Sequence, residues 1–115
     1  MTRIFLALLF CTATFATVSA ADVIGLSLPL DGRLSPISKR IEFGARLALR
    51  HLKRAGRDIR LSAINDACDD SKIERSARRL ERARVDIVIG SVCFKVAAGL
   101  AEALNRNQSK SDNVP

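Results

Sequence analysis

From residue 21 onward the spacing of apolar positions switches between the short period of strands and the three-to-four-residue period of helices. "DVIGLSL" (22–28) carries β-branched residues, stops at Pro29 and reads as a buried strand. "PLDGRLSPIS" (29–38), with two prolines and an Asp-Gly pair, is a loop. A helix is predicted from about Ser38 to Ala55, because Ile41, Ala45, Ala48, Leu52 and Ala55 form one stripe and Gly56 follows as a stop. Arg46, Arg50, Lys53 and Arg54 lie off that stripe, and His51 sits alone in the same helical pattern as a surface or partly packed residue. "DIRLSAIND" (58–66) alternates and then turns apolar, as a strand nearer the sheet edge does.

After an acidic turn, "SKIE" (71–74) matches a capping box, with Ser71 and Glu74 exchanging hydrogen bonds with each other's amides. The second helix runs on to about Arg84, with Ile73, Ala77, Leu80 and Ala83 or Arg84 inward and Glu74–Arg78 as an i,i+4 pair. "VDIVIGSV" (85–92) is the most apolar run and is expected to be the central strand. A third helix follows from about Lys95 to Asn107, with Ala97, Leu100, Ala101 and Leu104 inward, and the tail is polar until Val114-Pro115.

Strands alternating with amphipathic helices, β-α-β-α-β-α, define an α/β class with a parallel sheet, flanking helices and right-handed crossovers. The loops 29–38, 66–70 and 91–95 then share the carboxyl edge of the sheet, where open α/β folds bind ligands.

The first twenty residues change the picture. Met-Thr-Arg, the run "IFLALLF" and the small, polar exit "CTATFATVSA" describe a secretory signal peptide. Val18 and Ala20 place the cut after Ala20, with Ala21 as the alternative; Phe10 is too bulky for a lipoprotein cut at Cys11. The apolar run falls short of the ~20 residues of a span. The mature product is therefore expected in the periplasm and outside the bilayer. Residues 1–20 carry Arg3 alone among charged side chains, so 18 basic and 12 acidic residues remain over 95 positions, a net charge of +6. That length makes one small domain.

Export also gives the cysteines a meaning. Cys11 leaves with the leader, and Cys68 and Cys93, both at the binding edge, remain as a pair in an oxidising compartment that favours a disulfide. Such a bridge contributes roughly 3–4 kcal/mol by the chain-entropy estimate. No zinc spacing exists, "NDACDD" (65–70) matches no calcium loop, and no cofactor motif is present. Asp69 and Asp70 suit the start of the next helix. The turn Gly90-Ser91 before the third helix suits an anion, a carboxylate rather than a nucleotide phosphate. No nucleophile–base set is available, so no catalytic residue and no enzyme activity are expected. Basic residues interleave with Glu42, Glu74, Glu81 and Asp86 and aromatics are scarce, which argues against nucleic acid.

"DVIGLSLPLDG", "FGARLAL", "NDACDD" and "DIVIGSVC", in this order and spacing, resemble the periplasmic leucine/isoleucine/valine-binding proteins, the substrate-binding components of branched-chain amino-acid ABC transporters. The resemblance implies a type I periplasmic-binding fold and capture of a small amino acid for an inner-membrane permease. It also implies a Cys68–Cys93 disulfide and ligand contacts, mainly from backbone, at Val92, Cys93 and Phe94. Phe94 stands where the family often carries a hydroxyl residue, and Ile37 where it carries an aromatic contact. The family needs more than three times this length. The resemblance thus implies a partial amino-terminal lobe over 21–108, a tail at 109–115 where a fourth strand would begin, and a truncated product not competent to bind alone. The alternative is a small exported α/β interaction or sensor module that acts through a protein partner or as a homodimer.

Overall fold

The structure is a computed structural model and describes residues 21–112; the leader predicted at 1–20 lies outside the described residues. The order of elements is β1 (Asp22–Leu28), α1 (Ser35–Arg54), β2 (Ile59–Asn65), α2 (Ile73–Arg82), β3 (Ile87–Ile89) and α3 (Phe94–Asp112), with single 3-10 turns at Gly32–Leu34 and Asp70–Lys72. The strands form a parallel sheet in the order β2-β1-β3, with Asp22 to Leu28 in register with Ile59 to Asn65 and Ile24 to Leu26 in register with Ile87 to Ile89. This is the α/β class expected from the alternating pattern.

β1 is central because both of its faces are apolar enough to bury. Val23, Leu26, Ser27 and Leu28 are all buried. Successive strand residues point to opposite faces. On one face Ile64 meets α2 and α3 in a core with Ala77, Leu80, Leu100 and Ala103, lined by Ile73, Val85, Val88 and Leu104. β2 lies at an edge, as its alternation predicts. The most apolar run does not lie at the centre. β3 is the other edge and only three residues long, and Ile87 and Ile89 are 60% and 49% exposed. The crossover through α2 carries β3 past β1 to the free side of the sheet. Apolar composition marks a strand that needs cover on both faces, and here only the face bearing Val88 has it. Asp86 pins the start of β3, accepting from the Val23 amide at 2.7 Å and donating its own amide to the Val23 carbonyl at 2.8 Å.

The helices keep their places but shift in phase and length. α1 begins at Ser35, earlier than expected, because Pro36 suits the first turn of a helix. Its inward side carries buried Ser38 and half-buried Glu42, Ala45 and Leu49, whereas Ile41, Ala48, Leu52 and Ala55 of the predicted stripe are exposed. α1 packs against β2, and its apolar arc reaches beyond that strand with nothing over it among the described residues. Gly56 closes α1 with φ +81, its amide on the Lys53 carbonyl and the Arg57 amide on the Leu52 carbonyl, a Schellman motif. α2 ends the same way with Arg84 in the left-handed position, a stop that no glycine announces. α3 buries Val96, Leu100 and Ala103, one position out of phase with part of the predicted set, and runs to Asp112 through much of the predicted tail.

Gly25 of β1 faces Leu80 of α2, with Val85 and Val88 beside it. A Cβ there would stand 2.8 Å from Leu80 Cδ2, 3.2 Å from Val85 Cγ1 and 3.3 Å from Val88 Cγ2. Gly25→Ala is expected to lower the unfolding free energy by about 1–3 kcal/mol, the usual range for overpacking. Gly44→Ala, at a helix site with open space, is expected to raise it by about 0.5–1 kcal/mol. Urea titrations of both variants check the pair.

Candidate functional site

The carboxyl ends of the three strands bring the loops after β1, β2 and β3 together. Two side chains at the end of β2 fasten the first two. Asn65 Oδ1 accepts the amides of Leu30 at 2.9 Å and Ala67 at 3.0 Å, while its Nδ2 donates to Asp31 Oδ2 at 2.8 Å. Asp66 is fully buried; its Oδ2 accepts the Ser27 hydroxyl at 2.8 Å and its Oδ1 the Cys68 amide at 2.9 Å. Its own amide reaches the Leu28 carbonyl at 3.1 Å. Ala67 and Cys68 both have positive φ, 51° and 53°, a region costly for residues with a Cβ. The Asn65 and Asp66 carboxamide and carboxylate catch their amides and hold the chain in that turn.

The turn stays tied to the third loop through Cys68 and Cys93, which are disulfide-bonded with Cα atoms 5.6 Å apart. The pairing expected from the cysteine count is therefore present. The Cys93 amide donates to Ser91 Oγ at 3.0 Å, which shapes the entry to α3. Phe94 opens α3 and is 86% exposed, and Val92 beside it is 47% exposed. An open depression of about 660 Å³ lies between the two cysteines, Asp69, Asp70 and the first turn of α3. The first-turn amides of a helix have no intrahelical acceptor, so this wall offers donors to an anionic group. Lys95 Nζ sits 3.1 Å from Asp70 Oδ2 across the depression, an exposed pair of small energetic weight.

The turn 65–70 is thus built as a structural hub. Among the described residues no group of three histidine, cysteine, aspartate or glutamate side chains could hold a metal ion. The capping box predicted at Ser71 and Glu74 is replaced. Asp69 caps, accepting the Ser71 amide at 2.9 Å and hydroxyl at 2.7 Å. Glu74 turns away to Arg106 of α3, 2.8 Å from its guanidinium, and makes no ion pair with Arg78. Asp69 accepts earlier than Ser71 can because the 3-10 turn Asp70–Lys72 precedes the helix. The Ser71 hydroxyl, then the Ser71 amide, hold the Asp69 carboxyl below its ordinary value, with Lys72 adding to the effect. Ile37, set in the first loop by sequence, lies in the first turn of α1 and is exposed. The sequence set Asn65 and Asp66 in the acidic turn at the binding edge without their fastening role, and Ser27 was passed over. Their signal was a polar residue inside or at the end of an otherwise apolar strand.

No protein-family model matches the chain, and no curated protein matches it in sequence. Among solved structures it is similar in fold to a solute-binding protein of an ABC transporter from R. palustris in complex with benzoate, with TM-score 0.60 and 23% identity over 80% of this chain. The match takes in 25% of that protein, so the chain spans about a quarter of its length. The match shows the fold alone, a parallel sheet with flanking helices similar to part of that protein. No helix among the described residues is long and apolar enough to cross a membrane.

Asp66→Ala leaves the Ser27 hydroxyl and the Cys68 amide without their acceptor, and is expected to cost about 2–6 kcal/mol, from about 1–3 per group left unpaired. Asp66→Asn, which keeps an acceptor oxygen, is expected to cost clearly less; urea unfolding of both variants measures the difference. Asp69 has a depressed carboxyl, so its stabilising bonds are complete above the ordinary carboxylate value of 3.8 and fade as pH falls through the lower folded value. Asp69→Ala is accordingly expected to lower Tm at neutral pH, with a deficit that shrinks in strong acid, as thermal scans across that range would record.

Proposed function

We propose that this chain forms part of the amino-terminal lobe of an exported solute-binding protein that delivers a small carboxylate, a branched-chain or related amino acid, to an ABC permease in the inner membrane. The observation that carries the reading is the fastened carboxyl edge. Asn65, Asp66 and the Cys68–Cys93 bridge hold three loops around the open first turn of α3. Val92, Cys93 and Phe94 are the proposed contacts, acting mainly through backbone groups. The exported position rests on the leader pattern at 1–20. The similar fold of a protein with benzoate bound, also a small carboxylate, supports the ligand class.

The depression is one-sided. Ligand sites bury some 70–90% of a small molecule, and a wall with Phe94 this exposed covers one face only. The chain alone therefore binds weakly. A second reading, an interaction module that pairs with another copy, is favoured by the uncovered β3 edge with Ile87 and Ile89 exposed.

One titration separates these. Amide NMR of the chain with leucine and with benzoate is expected to show shifts confined to the lining of the depression, residues 68–70 and 91–96, and saturating only in the millimolar range. Shifts elsewhere on the chain would remove the solute-binding reading. Micromolar saturation would refute the one-sided wall. Concentration-dependent broadening centred on 86–90, with no ligand shifts, would replace it with the interaction module.

A further inference from the structure

The outward side of α1 carries a feature that ligand capture does not use. At 100° per residue, Lys39, Arg40, Phe43, Leu47, Arg50 and Arg54 fall within an arc of about 100°, nearly opposite the buried Ser38. Phe43 is 62% exposed and Leu47 40% exposed. The four basic residues around them are exposed and form no ion pair among the described residues. Glu42 is the one acid in α1, and Arg46 of the same helix engages it at the border of the arc. The face is therefore single-signed, with two apolar side chains at its middle.

We propose that this face of α1 is a docking surface for a bilayer leaflet rich in anionic phospholipids. Charge complementarity selects this occupant. Each basic residue near an anionic leaflet adds to the attraction, and helices that lie in the interface combine such a polar rim with apolar residues that enter the headgroup boundary. Phe43 and Leu47, at i and i+4, enter side by side. Lys39 to Arg54 span roughly 22 Å along the axis, a row that a fluid leaflet can match by gathering its headgroups. A nucleic acid would find one aromatic side chain and no groove to track its backbone.

α2 supplies the internal control. Arg75, Arg78, Arg79 and Arg82 also share one exposed arc, since Glu74 faces Arg106 and Glu81 faces Asn107, but no apolar side chain stands among them. A purely electrostatic attraction would use both helices; the proposal requires α1.

The chain has no tryptophan, so Phe43→Trp and Arg79→Trp each place a single reporter. Vesicles of phosphatidylcholine with about a third phosphatidylglycerol are expected to blue-shift Trp emission in Phe43→Trp and to expose it to quenching by brominated acyl chains. Arg79→Trp is expected to stay unshifted. Pure phosphatidylcholine, or high salt, is expected to abolish the effect. In co-sedimentation, Phe43→Gln with Leu47→Gln is expected to weaken binding to the anionic vesicles at least tenfold. Replacing the four α2 arginines by glutamine is expected to weaken it less than threefold. Circular dichroism of each variant confirms the fold. No shift at position 43, equal shifts at 43 and 79, equal shifts on neutral vesicles, or equal losses in the two charge and apolar sets would each overturn the proposal.

Discussion

The carboxyl edge of this sheet depends on one buried carboxylate. Asp66 takes a hydroxyl from the centre of the sheet and an amide from the turn that follows it, and so converts a strand end into a fixed corner. A buried polar group is held at low cost only when it is hydrogen-bonded. Ser27 and the Cys68 amide meet that demand, and the left-handed turn at Ala67 and Cys68 is the backbone path that lets them. Asn65 then carries the constraint to the loop after β1, and the disulfide carries it to the start of α3. Three loops remote in sequence become one wall by this chain of contacts. A wall assembled this way is preorganised, its loops ordered by the chain's own contacts.

The rest of the molecule is less complete. One face of the sheet has a core of Ile64, Leu80 and Leu100 under α2 and α3, while the β3 side of the other face shows Ile87 and Ile89 to solvent. The exposed apolar flank of α1, with Ile41 and Leu52, lies beyond the strand that helix covers. Exposed apolar edges of this kind invite pairing.

Much of this was legible in the residues. Strand and helix periods placed the three strands, the three helices and the parallel sense of the sheet, because the two periods differ. The cysteine pair was legible for the same kind of reason, since its chemistry is local to two residues. What the pattern missed was phase and rank. In α1 the apolar arc is wider than the contact, so Ser38 rather than Ile41 meets the interior. β3 is apolar without being central, since hydrophobicity states a need for cover and topology decides whether cover exists. The Asn65 and Asp66 network could be suspected but not read, because a hydrogen bond from Ser27 to Asp66 spans 39 positions. Arg84 ended α2 in a conformation that sequence assigns to glycine.

Amide hydrogen exchange of the native chain tests the central claim most directly. If Asp66, Asn65 and the disulfide hold the carboxyl edge as a fixed wall, the amides of Asp66, Ala67 and Cys68 exchange as slowly as those of β1, although Ala67 and Cys68 lie in a partly exposed turn. Exchange at the rate of an unstructured peptide at Ala67 and Cys68, with β1 still protected, would show a loose loop and contradict the account.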